Sequence, residues 1–147
     1  MKDFYAERIK EENEDLKTLG DKGVNVKMTD KQYSMLTLHA LKVGFNNASE
    51  LLGSFTADLT DHHSNGSDER MYAEQWFDRA FGIWEETRYF FRYYLYDNEI
   101  EAEDFDLEND IDYFEEVYSE YLEEADNKDH ESKEECLTII KEMIKEL

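Results

Sequence analysis

Apolar residues recur along most of this chain at spacings of three and four, the rhythm of helices, and once in strict alternation. Tyr5, Ile9, Leu16 and Leu19 predict a helix over residues 3–19, closed by Gly20 and Gly23. The segment VNVKMT, residues 24–29, then sets Val24, Val26 and Met28 against Asn25, Lys27 and Thr29, the period-two pattern of a short strand. Thr29 and Gln32 stand at capping-box spacing and open a helix whose apolar positions Tyr33, Leu36, Ala40 and Val43 run to Gly44. Asn47 with Glu50 offers a second cap, for a helix through Leu51, Leu52, Phe55 and Leu59.

After the loop DHHSNGSDE, Ser67 is the expected N-cap of a long helix, with Asp68 and Glu69 favoured by its dipole. Ala73, Phe77, Ala80, Trp84, Thr87, Phe91 and Tyr94 line one face of that helix, and Trp76, Ile83 and Phe90 form an adjacent row. So wide an apolar face needs covers. Ile111, Phe114, Tyr118, Tyr121 and Ala125 supply one, and Leu137, Ile140, Ile144 and Leu147 supply another behind a Ser132–Glu135 capping box. The expected fold class is mostly α: a bundle of about five or six helices with one short N-terminal strand. Three parts are expected: an N-terminal helix over 1–23, a strand-helix-helix module over 24–60, and an acidic, aromatic-rich helical domain over 61–147.

Composition narrows the class. The chain's 147 residues are 40% apolar and 14% aromatic, which argues for a folded body despite 37% charged residues. The opening MKDFYAERIK shows no signal-peptide pattern, no run of 18 apolar residues offers a membrane span, and Cys136 is the lone cysteine. A cytoplasmic, reducing location is the expectation.

Charge changes the picture most. The formal net charge is −22, and residues 97–126 hold fifteen acidic side chains and no basic one. On a helix over 110–124, Asp110, Asp112, Glu115, Glu116, Glu120, Glu123 and Glu124 would average one carboxylate per about 3.2 Å at about 1.5 Å per residue. One DNA strand carries a phosphate about every 3.4 Å. In that spacing the acidic half resembles phage-type DNA mimics and anti-CRISPR proteins. The resemblance implies a nonenzymatic inhibitor of anti-CRISPR or anti-restriction type, carried by a phage or mobile element. Those seven residues would occupy the groove of a basic nucleic-acid-binding partner, a nuclease effector in the bacterial host cytoplasm. The plain alternative is a solvated acidic face. Salt adaptation would instead spread acid evenly along the chain.

Residues 24–59 resemble the ribbon-helix-helix family of dimeric DNA-binding regulators. The resemblance rests on the strand VNVKMT, the helix start TDKQY, the turn at Gly44 and Phe45, and the Ser49-Glu50-Leu51-Leu52 opening of the second helix. It implies a homodimer through Val24–Thr29, base contacts from Asn25, Lys27 and Thr29, and a phosphate received near Asn47 and Ser49. The function implied is a transcriptional regulator or antitoxin. Lys27 is the only basic side chain among the three readers, which departs from the family and weakens direct DNA binding.

Within the acidic tract, DFDLENDIDYFE resembles the calcium loop of the EF-hand family. It places Asp104, Asp106, Glu108, Asp112 and Glu115 at the oxygen-ligand positions, with Asn109 where the family has glycine. Calcium is the one cofactor the sequence raises. Catalytic motifs are lacking: there is no P-loop, GxGxxG, GxSxG, HExxH or paired CxxC, and His62 and His63 read as loop residues. Arg70, Arg79, Arg88 and Arg92 stand among Asp68, Glu74, Asp78, Glu85 and Glu86, and local pairing is expected of them. A binding protein without enzymatic activity is the resulting expectation.

Overall fold

A computed structural model describes residues 3–82 and 88–147. The described residues form seven α-helices: α1 Phe4–Leu16, α2 Asp30–Lys42, α3 Ala48–Thr60, α4 Ser67–Phe81, α5 Phe91–Asp97, α6 Ile111–Ala125 and α7 Lys133–Lys145. Two two-residue strands, β1 Arg88–Tyr89 and β2 Asp129–His130, pair in parallel, and a short 3-10 turn spans Ala102–Asp104. The chain divides into two compact units, Met1–Phe81 and Gly82–Leu147. The boundary therefore falls after α4 and not at residue 60, so α4 belongs with the helices before it. No helix among the described residues is long and apolar enough to cross a membrane.

In the first unit, local chemistry sets the helix ends as the sequence predicts. The Thr29 hydroxyl accepts from the Gln32 backbone N–H at 3.1 Å, and the Gln32 side chain accepts from Thr29 N–H at 2.9 Å. Asn47 accepts from Glu50 N–H at 3.0 Å, and the Glu50 carboxylate accepts from Asn46 N–H at 2.8 Å. Gly44 takes φ +89 just past the end of α2, a left-handed value that a side chain would resist. Helix α2 packs on α3, and α3 on α4. The buried apolar side chains of this unit, among the described residues, are small: Ala40, Ala48 and Ala73.

Three expectations need correction here. Residues 24–29 are irregular and form no strand in the single chain. A strand requires a neighbouring backbone to take its N–H and C=O groups, and among the described residues no segment runs beside this one as a partner strand. Ser67 is the first helical residue and not the residue before it. Finally, the long helix does not run to Tyr94. It ends at Phe81, followed by Gly82 at φ +59; Ile83, Trp84 and Thr87 lie outside the described residues, Arg88–Tyr89 are extended, and the next described helix begins at Phe91.

The extended backbone of β1 has a packing reason. Residues two apart on a helix point about 200° from each other, whereas on an extended chain they share a side. Tyr89 and Phe91 both meet Tyr121, with ring centroids at 5.7 and 5.0 Å. A continuous helix would have turned one of them away.

The second unit is built on a true core. Phe91, Tyr94 and Leu95 of α5, Phe105 just after the 3-10 turn, Phe114, Val117 and Tyr121 of α6, and Cys136 and Ile140 of α7 are buried together. Tyr121 donates its hydroxyl proton to the Tyr89 carbonyl and accepts from Glu131 N–H at 3.1 Å. Glu131 in turn accepts from Phe91 N–H at 2.8 Å, capping α5, whose N-cap Phe90 has no side-chain acceptor to offer. The Ser132–Glu135 capping box opens α7 as predicted. Burial, with the Glu131 and Glu135 charges adding to it, pushes the Cys136 thiol up to about 12, so it stays protonated at neutral pH.

Replacing Phe91 by Ala should destabilise the second unit by about 3–5 kcal/mol, the range for truncating a buried aromatic. Urea denaturation followed by tyrosine fluorescence checks this, with an unchanged midpoint counting against the core described.

Candidate functional site

Helix α6 carries the acidic site, and its burial pattern decides which way each carboxylate faces. Phe114, Val117, Tyr121 and Ala125 are buried at spacings of three and four. Asp110, Asp112, Glu115, Glu116, Glu120, Glu123 and Glu124 are all exposed. At about 100° per residue, Asp112, Glu116 and Glu123 lie opposite the buried row and form the crest. Glu115 lies on one flank, and Glu120 and Glu124 on the other.

The flanks are held from inside the unit. On one, Glu115 accepts from Lys133 Nζ at 2.7 Å. On the other, Glu120 accepts from the Tyr94 hydroxyl at 3.3 Å and Glu124 from the Tyr89 hydroxyl at 3.0 Å. Among the ion pairs of the described residues, Glu115 is the only one of the seven to take part. The arginines expected to pair with neighbours on one helix instead reach further: Arg70 to Asp61, Arg88 to Glu135 at 3.7 Å and Arg92 to Glu142 at 3.8 Å. Glu85 and Glu86, two of the carboxylates expected to pair with these arginines, lie outside the described residues. The crest of α6 receives none of these cations.

The electrostatics follow from this layout. Helix α6 has Asp112 in its first turn, which suits the dipole, but no basic residue in its last turn, where Glu123 and Glu124 oppose it. Burial, with the Glu120 charge and hydrogen bond adding to it, pushes the Tyr94 phenol up to about 12; burial and the bond to Glu124 push Tyr89 upward as well. Burial also raises Tyr113, Tyr118 and Tyr121.

The calcium-loop residues do not assemble as the resemblance implies. Among the described residues no group of three or more His, Cys, Asp or Glu side chains is placed to hold a metal ion. Asn109 is not among the residues with positive φ, so the loop lacks the left-handed turn that the sixth position must make. Asp106 is engaged instead by Asn109, through its backbone N–H at 3.1 Å and its side-chain amide at 3.1 Å, and these bonds hold its carboxyl below the ordinary carboxylate value. Asp104 accepts from Glu101 N–H at 3.2 Å, and Glu115 is paired to Lys133. Glu108 and Asp112 remain exposed on the loop and the first turn of α6.

The ribbon-type contact residues are placed differently from the expectation too. Asn25 and Lys27 are exposed on an irregular segment, while Thr29 spends its hydroxyl on the α2 cap. Asn47 is likewise engaged as a cap, and Ser49 is exposed in the first turn of α3. The Glu50 carboxylate already sits at this N-terminus, the place where a phosphate would have to bind. His63 meets Asp15 at 2.7 Å within the first unit, so it acts as a loop tie.

Sequence reasoning missed Tyr89, Tyr94 and Lys133, which position the flanking carboxylates. Their partners lie 35, 26 and 18 residues away, and no local spacing announces them. Comparison with known proteins finds no matching family model, no matching curated protein and no matching solved structure.

The tyrosines give a pH prediction. A phenol whose value is raised on folding contributes stability below its unfolded value near 10, and that contribution is lost as pH rises through the folded value. For Tyr94, raised to about 12, the second unit should lose stability between about pH 10 and 12. Alkaline melts should show the loss, and Tyr94→Phe should shallow it.

Proposed function

We propose that this chain is a nonenzymatic inhibitor that lays the acidic crest of α6 into the nucleic-acid groove of a defence nuclease. It would act as an anti-CRISPR or anti-restriction DNA mimic in the cytoplasm of a bacterial host. One observation carries the reading: a helix packed on a large aromatic core presents Asp112, Glu116 and Glu123 outward, and among the described residues no arginine or lysine pairs with them. Crowding like charges on one helix destabilises the free protein, and a cationic groove would relieve it. Glu120 and Glu124, tethered by phenols, widen the charged face on one side. Asp110 and Glu115 close its other margins.

The test is a cleavage assay over a panel of CRISPR effectors and restriction nucleases, with the chain added at increasing salt. Inhibition of a susceptible nuclease should be relieved by duplex DNA and weaken as salt rises, as phosphate contacts do. The triple variant Asp112→Asn, Glu116→Gln, Glu123→Gln should lose inhibition by about 10-fold or more while melting at the same or a higher temperature. Undiminished inhibition by that variant would remove α6 from the contact.

A second reading is a ribbon-helix-helix regulator or antitoxin, favoured by the formed caps of α2 and α3 behind the polar-apolar segment 24–29. It requires sequence-specific duplex binding in a low-salt gel shift, lost on changing Asn25 and Lys27 to Ala. The Glu50 carboxylate at the start of α3 counts against it.

A further inference from the structure

Helix α2 has two apolar rows, and only one is used. Leu36 and Ala40 are half-buried and buried on the side where α2 packs against α3. Met35, Leu38 and Leu41, at spacings of three, run along the far side and are 50%, 57% and 54% exposed. The helix that carries them is firmly made, with a capping box at its start and Gly44 at φ +89 beyond its end.

The charge pattern says what can cover this row. Residues 31–49 contain no Asp or Glu, in a chain with 38 of them and a net charge of −22. Two copies brought together by any acidic surface would repel; α2 carries one carboxylate, Asp30 in its first turn, against Lys31 beside it and His39 and Lys42 in its last turn, so two copies meeting there face little repulsion. A second copy offers the same apolar row, which is the self-complementary patch a two-fold contact needs.

We propose that two copies of this chain associate through α2, with Met35, Leu38 and Leu41 of each packed against the same row of the other. The contact is helix against helix and does not use the segment 24–29. It is independent of the inhibitor reading, because it lies on the other compact unit and has the opposite salt dependence. Salt screens the repulsion between the acidic surfaces of the two copies, so association tightens where a nucleic-acid-like contact weakens. A pair of 13-residue helices buries less than the roughly 800 Å² per partner of a standard interface, so affinity on the order of micromolar is expected.

Sedimentation equilibrium on the full chain tests this, from about 5 to about 200 µM, at low and at roughly 0.5 M salt. The mass should rise with concentration from 17.6 kDa toward twice that value, and more readily at the higher salt. Leu38→Glu should stay at the monomer mass with an unchanged circular dichroism spectrum, while Val26→Pro should associate as the unaltered chain does. A cross-link gives a second readout that does not depend on a destabilising variant. In a two-fold pair the middle residue meets its own copy, so Leu38→Cys should oxidise to a covalent dimer, which the unaltered chain, with its buried Cys136, should not form. A chain that remains monomeric at the top concentration overturns the proposal. So does a dimer lost in Val26→Pro but kept in Leu38→Glu, or growth beyond the dimer mass.

Discussion

The hydroxyl of Tyr121 joins three pieces of backbone in the second unit. It donates to the Tyr89 carbonyl in β1 and accepts from the Glu131 N–H just past β2, while its ring lies buried among Phe91, Tyr94 and Tyr118. A buried phenol without partners costs about 1–3 kcal/mol, and here both its donor and its acceptor roles are filled. That satisfaction fixes where β1 and β2 meet, and with them the directions in which the chain enters α5 and α7. Glu131, held in place by the same contact, caps α5 at Phe91. The roll of α6 about its own axis follows from Tyr121 being inside, and so does the outward direction of its carboxylates.

The two units stand in contrast. The second buries seven large side chains almost completely, and this packing offsets the repulsion among its acids and the unfavourable placement of Glu123 and Glu124 at the C-terminal end of a helix dipole. In the first, the buried positions among the described residues are alanines, while Trp76, Phe77 and Phe81 form an exposed aromatic cluster on α4. Its helices are defined by caps and turns more than by a core. Local hydrogen bonding is enough to say where a helix begins, but tertiary burial supplies most of its stability.

How legible each feature was in the sequence follows the range of the interaction that makes it. Thr29 with Gln32, Asn47 with Glu50, and Ser132 with Glu135 are spaced three apart, so the starts of α2, α3 and α7 could be read directly, as could α6 to within a residue. The break after Phe81 was hidden because Phe91 and Tyr94 continue the helical spacing of the residues before it. What decides against a continuous helix is Tyr121, some thirty residues further on, which needs Tyr89 and Phe91 on one side. The alternation in 24–29 is a real pattern without a strand partner among the described residues. The density of acids was legible at the site, but its division into crest and flanks was not, since that depends on which face of α6 the core takes and on phenols from β1 and α5.

Those phenols have one more effect. A glutamate in water samples many rotamers, and ordering it against a partner costs roughly 0.5–1.5 kcal/mol per side chain. Glu120 and Glu124 have surrendered part of that freedom on folding, to Tyr94 and Tyr89. The directions of these two carboxylates on the surface of α6 are thus set by phenols from β1 and α5, groups remote in sequence from the helix that displays the charge.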